Sequence, residues 1–291
     1  MTLDQERGEW LAWRKFGIGA SDVAALCGMS PWASPMSVWA DKAGLLDDED
    51  SEVMEFGRRA EPMLTGYFED RTGLVVRGIQ DRRVHPDHDH HRCTLDGWVA
   101  ESPHAKPLGI VEYKTTGDRP WDEVPDQYAI QVQWQLHVTG ESHAWMGVLH
   151  GRSFRVYELD RDDRAIAMLV DVVDRFWRDH VMANVPPPAD AHRATSDALA
   201  AAFPSPTEGA AVPLDDVSWA LDLRADAKAR AKSAKEDERR ADNAIKAAIG
   251  DAEIGTIAGD AVIAWREQTR AGHFVAESTF RTLRNVGRKS A

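Results

Sequence analysis

A chain of 291 residues with 43% hydrophobic residues and 11 tryptophans can bury one sizeable core with an appendage, and no apolar run approaches the roughly 20 residues of a membrane span. Cys27 and Cys93 are the only cysteines, too few for a disulfide framework, and the Met1-Thr-Leu-Asp-Gln-Glu start lacks the basic and apolar stretches of a secretory signal; a soluble protein in a reducing cytoplasm is expected. The net charge of −13 argues against broad electrostatic capture of nucleic acid, but a protein that holds a cation among carboxylates can be acidic overall while lining one channel with base.

Residues 4–16 read as a helix with Trp10, Leu11, Trp13 and Phe16 on its apolar side. The Gly17-Ile-Gly-Ala-Ser21-Asp22 stretch then breaks and recaps the chain, with Ser21 or Asp22 expected as N-cap of a helix over 23–27. A turn at Ser30-Pro-Trp32-Ala-Ser-Pro35 precedes a short helix over 36–43. The acidic run 47–52 reads as a loop leading into a helix over 52–71, where Pro62 is expected to kink the helix or begin a new turn, with Glu61 at the interruption. Strands are expected at 74–77 and 82–85. The run from His85 to His91, with Cys93 beyond it, hints at zinc, but its turn composition reads as an exposed loop. Basic clusters occur at Arg14-Lys15, Arg58-Arg59 and Arg82-Arg83.

The most informative stretch is Gly109-Ile-Val-Glu112-Tyr113-Lys114. Period-two alternation puts Ile110, Glu112 and Lys114 on one face of a strand and Val111 and Tyr113 on the other. Residues 94–99 read as its hairpin partner, joined through the turn-rich 102–107 segment. A midpoint near His104 sets Asp96 opposite Glu112, with Cβ atoms about 5 Å apart. Two facing acids repel unless a cation lies between them, and an Asp, a Glu and a Lys at one strand end suit a hard divalent ion beside an attacking water. On its own, Glu-x-Lys on a strand is most often a solvated ion pair; the surrounding motifs reverse that reading.

Downstream, 126–139 reads as a helix ended by Gly140, with Ala129, Val132 and Leu136 inward and Gln131 and Gln135 along a neighbouring stripe. A hairpin over 144–149 and 154–159 and an amphipathic helix over 164–184, stopped by three prolines, complete an α/β core with a mixed sheet. Residues 189–213 read as a linker. A charged helix over 215–249, a hairpin over 253–257 and 261–266 and a short helix over 275–284 form a C-terminal appendage; alanines spaced by seven in the long helix suit a surface helix at least as well as a coiled coil. The expected division is a domain over 1–188, a linker over 189–213 and an appendage over 214–291.

The order of a helix acid (Glu61), Asp96 and Glu112-x-Lys114 resembles the PD-(D/E)xK nuclease superfamily. The blocks Trp13-Arg14-Lys-Phe-Gly-Ile-Gly-Ala-Ser21-Asp22, Ser30-Pro-Trp32, Phe56-Gly-Arg-Arg-Ala-Glu61-Pro62, Leu95-Asp96-Gly97 and Gln131-Val-Gln133, in this order over residues 10–187, resemble the YqaJ-like viral recombinase family, relatives of the lambda-type phage exonuclease. The resemblance implies a restriction-endonuclease-like α/β (α+β) core and a Mg²⁺-dependent exonuclease, for which Mn²⁺ substitutes, that resects linear double-stranded DNA from its 5′ ends. The product is a 3′ single-stranded tail for a phage-type annealing protein. By the same resemblance Asp96, Glu112 and the Tyr113 backbone carbonyl hold metal, and Glu61, Lys114 and Gln131 join them in the catalytic set. Arg14 and Ser21 grip the 5′ phosphate, which fits a guanidinium fork and a hydroxyl in a glycine-loosened turn. A homotrimeric ring threading DNA is implied as an assembly. Two other readings stay open: an endonuclease or 3′-directed nuclease on the same core, and a DNA-end-binding recombination module that does not cut. Trp32, in a turn, is the best candidate among Trp32, Trp98, Trp121 and Trp134 for stacking on bases.

Overall fold

The computed structural model describes residues 3–46, 51–117 and 119–269. Helix α1 (Leu3–Lys15) runs into Gly17, where the chain presses against the histidine-rich segment: the Ile18 N–H donates to the His90 carbonyl at 2.7 Å. A Cβ on Gly17 would lie 2.6 Å from that same oxygen, so only glycine permits the approach. Helix α2 (Ala20–Leu26) starts earlier than expected, with Gly19 as its N-cap; Asp22 lies in the first turn and its carboxylate accepts the Gly19 N–H at 3.0 Å. Neither Ser21, which stays exposed, nor Asp22 is the N-cap residue.

Helix α3 (Pro35–Lys42) begins with a reciprocal Ser34 and Ser37 capping pair. Helix α4 (Glu52–Thr72) starts at the Ser51 cap and closes on Gly73 at φ 71°. Pro62 neither ends nor restarts α4. A proline inside a helix costs about 3 kcal/mol, and here Ala60, Leu64 and Phe68, all buried along one stripe, hold both halves of the helix on the sheet.

Strands β1 (Val75–Arg77), β2 (Asp81–His85), β3 (His88–Leu95), β4 (Gly97–Ala100) and β5 (Gly109–Thr116) follow. The histidine run is therefore not a loop: it enters β3, paired antiparallel with β2 as a separate two-stranded ribbon. Its alternate residues His91, Cys93 and Leu95 are buried, a burial signal masked by the polar residues that interleave them. Asp96 occupies the single position between β3 and β4, where the chain leaves the ribbon and enters the main sheet.

Helix α5 (Asp126–Thr139), β6 (His143–His150), β7 (Ser153–Asp160) and α6 (Asp163–Phe176) complete the core, and α6 continues as a π-wound turn over Trp177–Met182. The five-stranded sheet has the order β1-β4-β5-β6-β7; β5 and β6 are parallel, joined through α5, and the other pairs antiparallel. Alternation along β5 splits the core. Ile110 packs with Val132, Trp134 and Leu136 of α5, whereas Val111 and Tyr113 pack with Leu64 and Phe68 of α4.

The stretch expected to be a linker contains helix α7 (Arg193–Ala202), which packs on α3: buried Thr195 donates to the Ser34 hydroxyl at 2.7 Å. Its alanines, read above as linker composition, are strong helix formers. The chain divides into compact units at 1–204 and 205–291. In the second, α8 (Ser218–Ile249) has no buried residue, in keeping with a surface helix, and β8 (Ile254–Ile257) pairs with β9 (Asp260–Ala264). The helix expected over 275–284 lies outside the described residues, as do Asp118 and part of the 47–52 run. Among the described residues no helix is long and apolar enough to cross a membrane.

Candidate active site

The β4–β5 register pairs Gly97 with Val111, Trp98 with Ile110 and Val99 with Gly109. Continued by one residue, it sets Asp96 against Glu112. A Cβ on Gly97 would meet Val76 at 2.4 Å, so glycine after Asp96 lets the strand turn into the sheet beneath β1. Asp96 Oδ2 accepts the Tyr113 N–H at 2.7 Å. A residue's N–H and C=O leave an extended strand on the same edge, so the Tyr113 carbonyl also faces the Asp96 side, beyond the last paired residue of β4.

Glu112 is buried on the α5 face and heavily bonded. Its Oε1 accepts from Lys114 Nζ and from Gln131 Nε2, each at 2.6 Å, and its Oε2 accepts from Gln135 Nε2 at 2.6 Å. Gln131 and Gln135 are one helical turn apart, so both amides reach the same carboxylate. Glu61, on α4, lies at the edge of the site, where Gln80 Nε2 donates to Glu61 Oε2 at 2.8 Å and to Asp96 Oδ1 at 3.4 Å. Gln80 takes the left-handed conformation at φ 56°, a sparsely populated backbone for a non-glycine residue, and this turn aims its amide between the two acids.

Three carboxylates thus converge with a single ammonium. Burial, then the charges of Glu112 and Glu61, hold the Asp96 carboxyl well above the ordinary carboxylate range. Burial also raises Glu61; the Gln80 bond opposes this and Glu112 adds to it. Burial alone would depress Lys114, but the charges of Glu112 and Asp96 outweigh it and hold the lysine above its usual value. Lys114 is therefore an ammonium at neutral pH, which suits it to orient and stabilise rather than to abstract a proton.

A carboxylate has about four lone-pair positions, and three bonds occupy Glu112 while two reach Asp96. Both acids keep acceptor capacity. Facing oxygen donors, crowded negative charge and a backbone carbonyl on the same edge fit a hard divalent cation, and Asp96, Glu112 and the Tyr113 carbonyl are the groups that would hold it.

A cavity of about 170 Å³ joins this cluster to the N-terminal helices; Arg14, Gly19 and Ser21 line it together with Asp96, Glu112 and Gln131. Arg14 Nη2 pairs with Asp22 Oδ1 at 3.0 Å, and the guanidinium lies 5.0 Å from the centre of the Trp10 ring. Behind it, the buried Lys42 ammonium bonds Asp22 Oδ2 at 2.8 Å and the Arg14 carbonyl at 3.3 Å. Burial would raise the Asp22 carboxyl, but Lys42 and then Arg14, with the bonds from Lys42 and Gly19, bring it down to about 2. Asp22 is thus a fixed anion that clamps the end of α1 to the start of α2.

Of the tryptophans singled out from the sequence, Trp134 is fully buried and Trp32 is 64% exposed. Trp32 lies 6.0 Å from the Tyr128 ring, which stacks on Trp121 at 5.3 Å and carries Lys114 Nζ at 5.4 Å. An aromatic row thus leads from the exposed Trp32 to the lysine. Of the basic clusters, Arg59 pairs with Glu55 and Arg83 with Asp81 on the surface.

Residues 9–142 match the family described as YqaJ-like viral recombinase domain. The uncharacterized protein YqaJ of Bacillus subtilis (strain 168) is 30% identical over 278 residues, covering 90% of this chain and 84% of that protein. The chain belongs to the YqaJ-like viral recombinase family. Among solved structures, LHK-Exo in complex with dAMP matches with a TM-score of 0.50 at 20% identity, over 61% of this chain and 94% of that one. The alkaline exonuclease (LHK-Exo) from Laribacter hongkongensis matches with a TM-score of 0.49 at 21% identity, over 61% and 94%. The dAMP complex shares the mixed α/β fold with this YqaJ-family chain. Coverage of 90% by the Bacillus protein also carries the relationship past residue 189, where the motifs read from sequence stop.

Four residues of the site in this YqaJ-family chain carry little sign of it in the sequence. Gln135 is one turn from Gln131, and that spacing is its only signal. Asp22 reads as an N-cap, whereas the structure pairs it with both Arg14 and Lys42. Lys42 reads as an ordinary helix-end lysine, and Gln80 belongs to a turn with no chemical signature.

Proposed function

We propose that the chain is a Mg²⁺-dependent exonuclease that resects linear double-stranded DNA 5′ to 3′, leaving 3′ single-stranded tails for recombination. The observation that carries this reading is the shared cavity: Arg14 and Ser21 line the same space as Asp96, Glu112 and Gln131. A terminal 5′ phosphate held by Arg14 and Ser21 puts the first internucleotide phosphate towards the acids. Mg²⁺ at Asp96, Glu112 and the Tyr113 carbonyl, with Mn²⁺ as a substitute, would supply Lewis-acid polarisation of the phosphoryl oxygen. Lys114 stabilises negative charge developing on the phosphoryl oxygens, and Gln131, Gln135 and Lys114 together fix the Glu112 carboxylate. Gln80, bonded to both Glu61 and Asp96, steadies Asp96 from the other side. Water adds to phosphorus and the 3′ oxygen of the terminal nucleotide leaves, so the shortened strand carries a fresh 5′ phosphate for the next cycle. A cytoplasmic setting, a single-strand annealing protein that takes the tail, and a homotrimeric ring around the duplex belong to the same proposal.

The test is a time course on linear duplex labelled at each end in turn, beside a covalently closed circle. With Mg²⁺, 5′ label is released first while the circle survives; EDTA stops release. Rapid nicking of the circle would favour an endonuclease, early loss of 3′ label a 3′-directed enzyme, and end binding without digestion the recombination module. Arg14→Ala is expected to reduce the preference for 5′-phosphorylated over 5′-hydroxyl ends by about tenfold, the size of one charge-assisted hydrogen bond near 1.5 kcal/mol. An unchanged ratio would remove Arg14 from phosphate recognition.

A further inference from the structure

Near the start of β3, at the other end of the strand from Asp96, a second group of metal-ligating side chains is unused by the nuclease reading. We propose that His88, His91 and Asp174 form a transition-metal site, of the class that takes Zn²⁺, tying β3 to α6. One ligand atom from each lies within 4.8 Å of the others. The ribbon pairing slips between Val84 and His85, next to the start of β3, and His88 lies over His91 with ring centres 4.5 Å apart. Asp174 comes from α6, more than eighty residues away in sequence, and its Oδ1 lies 2.9 Å from His91 Nε2.

The surroundings are built as a metal's outer partners are built. A ligating histidine uses its second ring nitrogen to bond a neighbour, which fixes ring orientation. Fully buried His91 does this, with Nδ1 3.0 Å from His137 Nε2. The carboxylate is likewise held: His90 Nε2 bonds Asp174 Oδ1 at 2.7 Å, and the His90 ring stacks on Trp177 at 5.3 Å. Two imidazoles and a carboxylate favour Zn²⁺-like ions over Mg²⁺, which prefers oxygen alone. Donors on one tetrahedral ion with bonds near 2.1 Å lie about 3.4 Å apart, so the site forms when the His91–Asp174 pair, at 2.9 Å, opens slightly to admit the ion and the half-buried His88 ring turns onto it. Cys93, which the sequence placed beside these histidines, is not among the ligands. Because β3 ends at Leu95, the ion would anchor the strand that delivers Asp96.

The site is independent of the nuclease reading, and its test removes the first site. The full chain carrying Asp96→Asn and Glu112→Gln, stripped with chelator and dialysed, is titrated with Zn²⁺ and separately with Co²⁺. About one equivalent is expected to bind, Co²⁺ giving the visible absorption of a low-coordinate nitrogen–oxygen site. Loss of an outer partner typically costs 10–100-fold in affinity, so loss of a ligand by His88→Ala or Asp174→Asn is expected to cost at least about 100-fold. His88 is partly exposed, so this variant keeps the test sound if changes at buried His91 unfold the protein. No bound metal in the double variant, or binding that neither His88→Ala nor Asp174→Asn weakens, would overturn the proposal and leave a metal-free hydrogen-bond network.

Discussion

Lys114→Ala is expected to lower the rate of nucleotide release by about 10³-fold, within the 10²–10³ range for losing one preorganised charge stabiliser, while binding of a linear duplex end changes little. The lysine enters β5 two residues after Glu112, so the pleat places both on the α5 face, and its ammonium bonds Glu112 Oε1 at 2.6 Å. The acids around it hold it protonated despite its partial burial. Its contribution is therefore positive charge at a fixed point, made where charge grows on the phosphoryl group, so the loss belongs to kcat. The proposed phosphate grip at Arg14 and Ser21, which line the cavity that Lys114 does not, is expected to be untouched. Single-turnover digestion and end-binding titrations on the same preparation separate the two effects. Turnover within about threefold of the parent would take Lys114 out of the chemistry, and a parallel collapse of end binding would show that its role is structural.

Much of this site was legible because β-strand geometry is simple. A period of two fixed which face of β5 carries Glu112 and Lys114, and a turn centred near His104 fixed Asp96 opposite Glu112, as the Gly97–Val111 pairing requires. The helices were legible from apolar spacing and caps, with α5 ending at Gly140 as expected. Less legible was whatever depends on residues distant in sequence. The 85–91 run has turn composition, yet bonds from His90 and His91 to Asp174 and contact of Ile18 with His91 draw it into a strand. Pro62 argues locally for a break, and the α4 stripe packed on the sheet overrides it. Gln80 reaches the acids only because its backbone adopts a positive φ, which its sequence neighbours do not announce.

Asp96→Asn should abolish Mg²⁺-dependent cleavage and, in EDTA, make the protein more stable than the parent at pH 8. Asp96 is half-buried beside Glu112 and Glu61, and its folded-state pKa is raised above the 3.8 of a free aspartate, first by desolvation and then by those two charges. For a carboxyl shifted in this direction, the favourable contribution is fully present below the unfolded value and is lost as pH rises through the folded one. The metal-free parent therefore forfeits stability over that interval, whereas asparagine does not titrate. The asparagine carbonyl can still accept the Tyr113 N–H, so the geometry of the β3–β4 junction survives. Each pKa unit by which the folded carboxyl is raised is worth about 1.4 kcal/mol, and each kcal/mol is worth about 2–4 °C in a domain this size. The variant and the parent should melt together near pH 4 in EDTA and diverge as pH rises. Mg²⁺ should reverse the order at pH 8, because a cation that binds only the folded parent stabilises it by mass action and finds one carboxylate fewer in the variant. Melting curves at several pH values, with EDTA and with Mg²⁺, check both halves. Equal melting temperatures at pH 8 in EDTA would mean that the carboxylate of residue 96 does not strain the metal-free site, and equal gains from Mg²⁺ that it does not receive the ion.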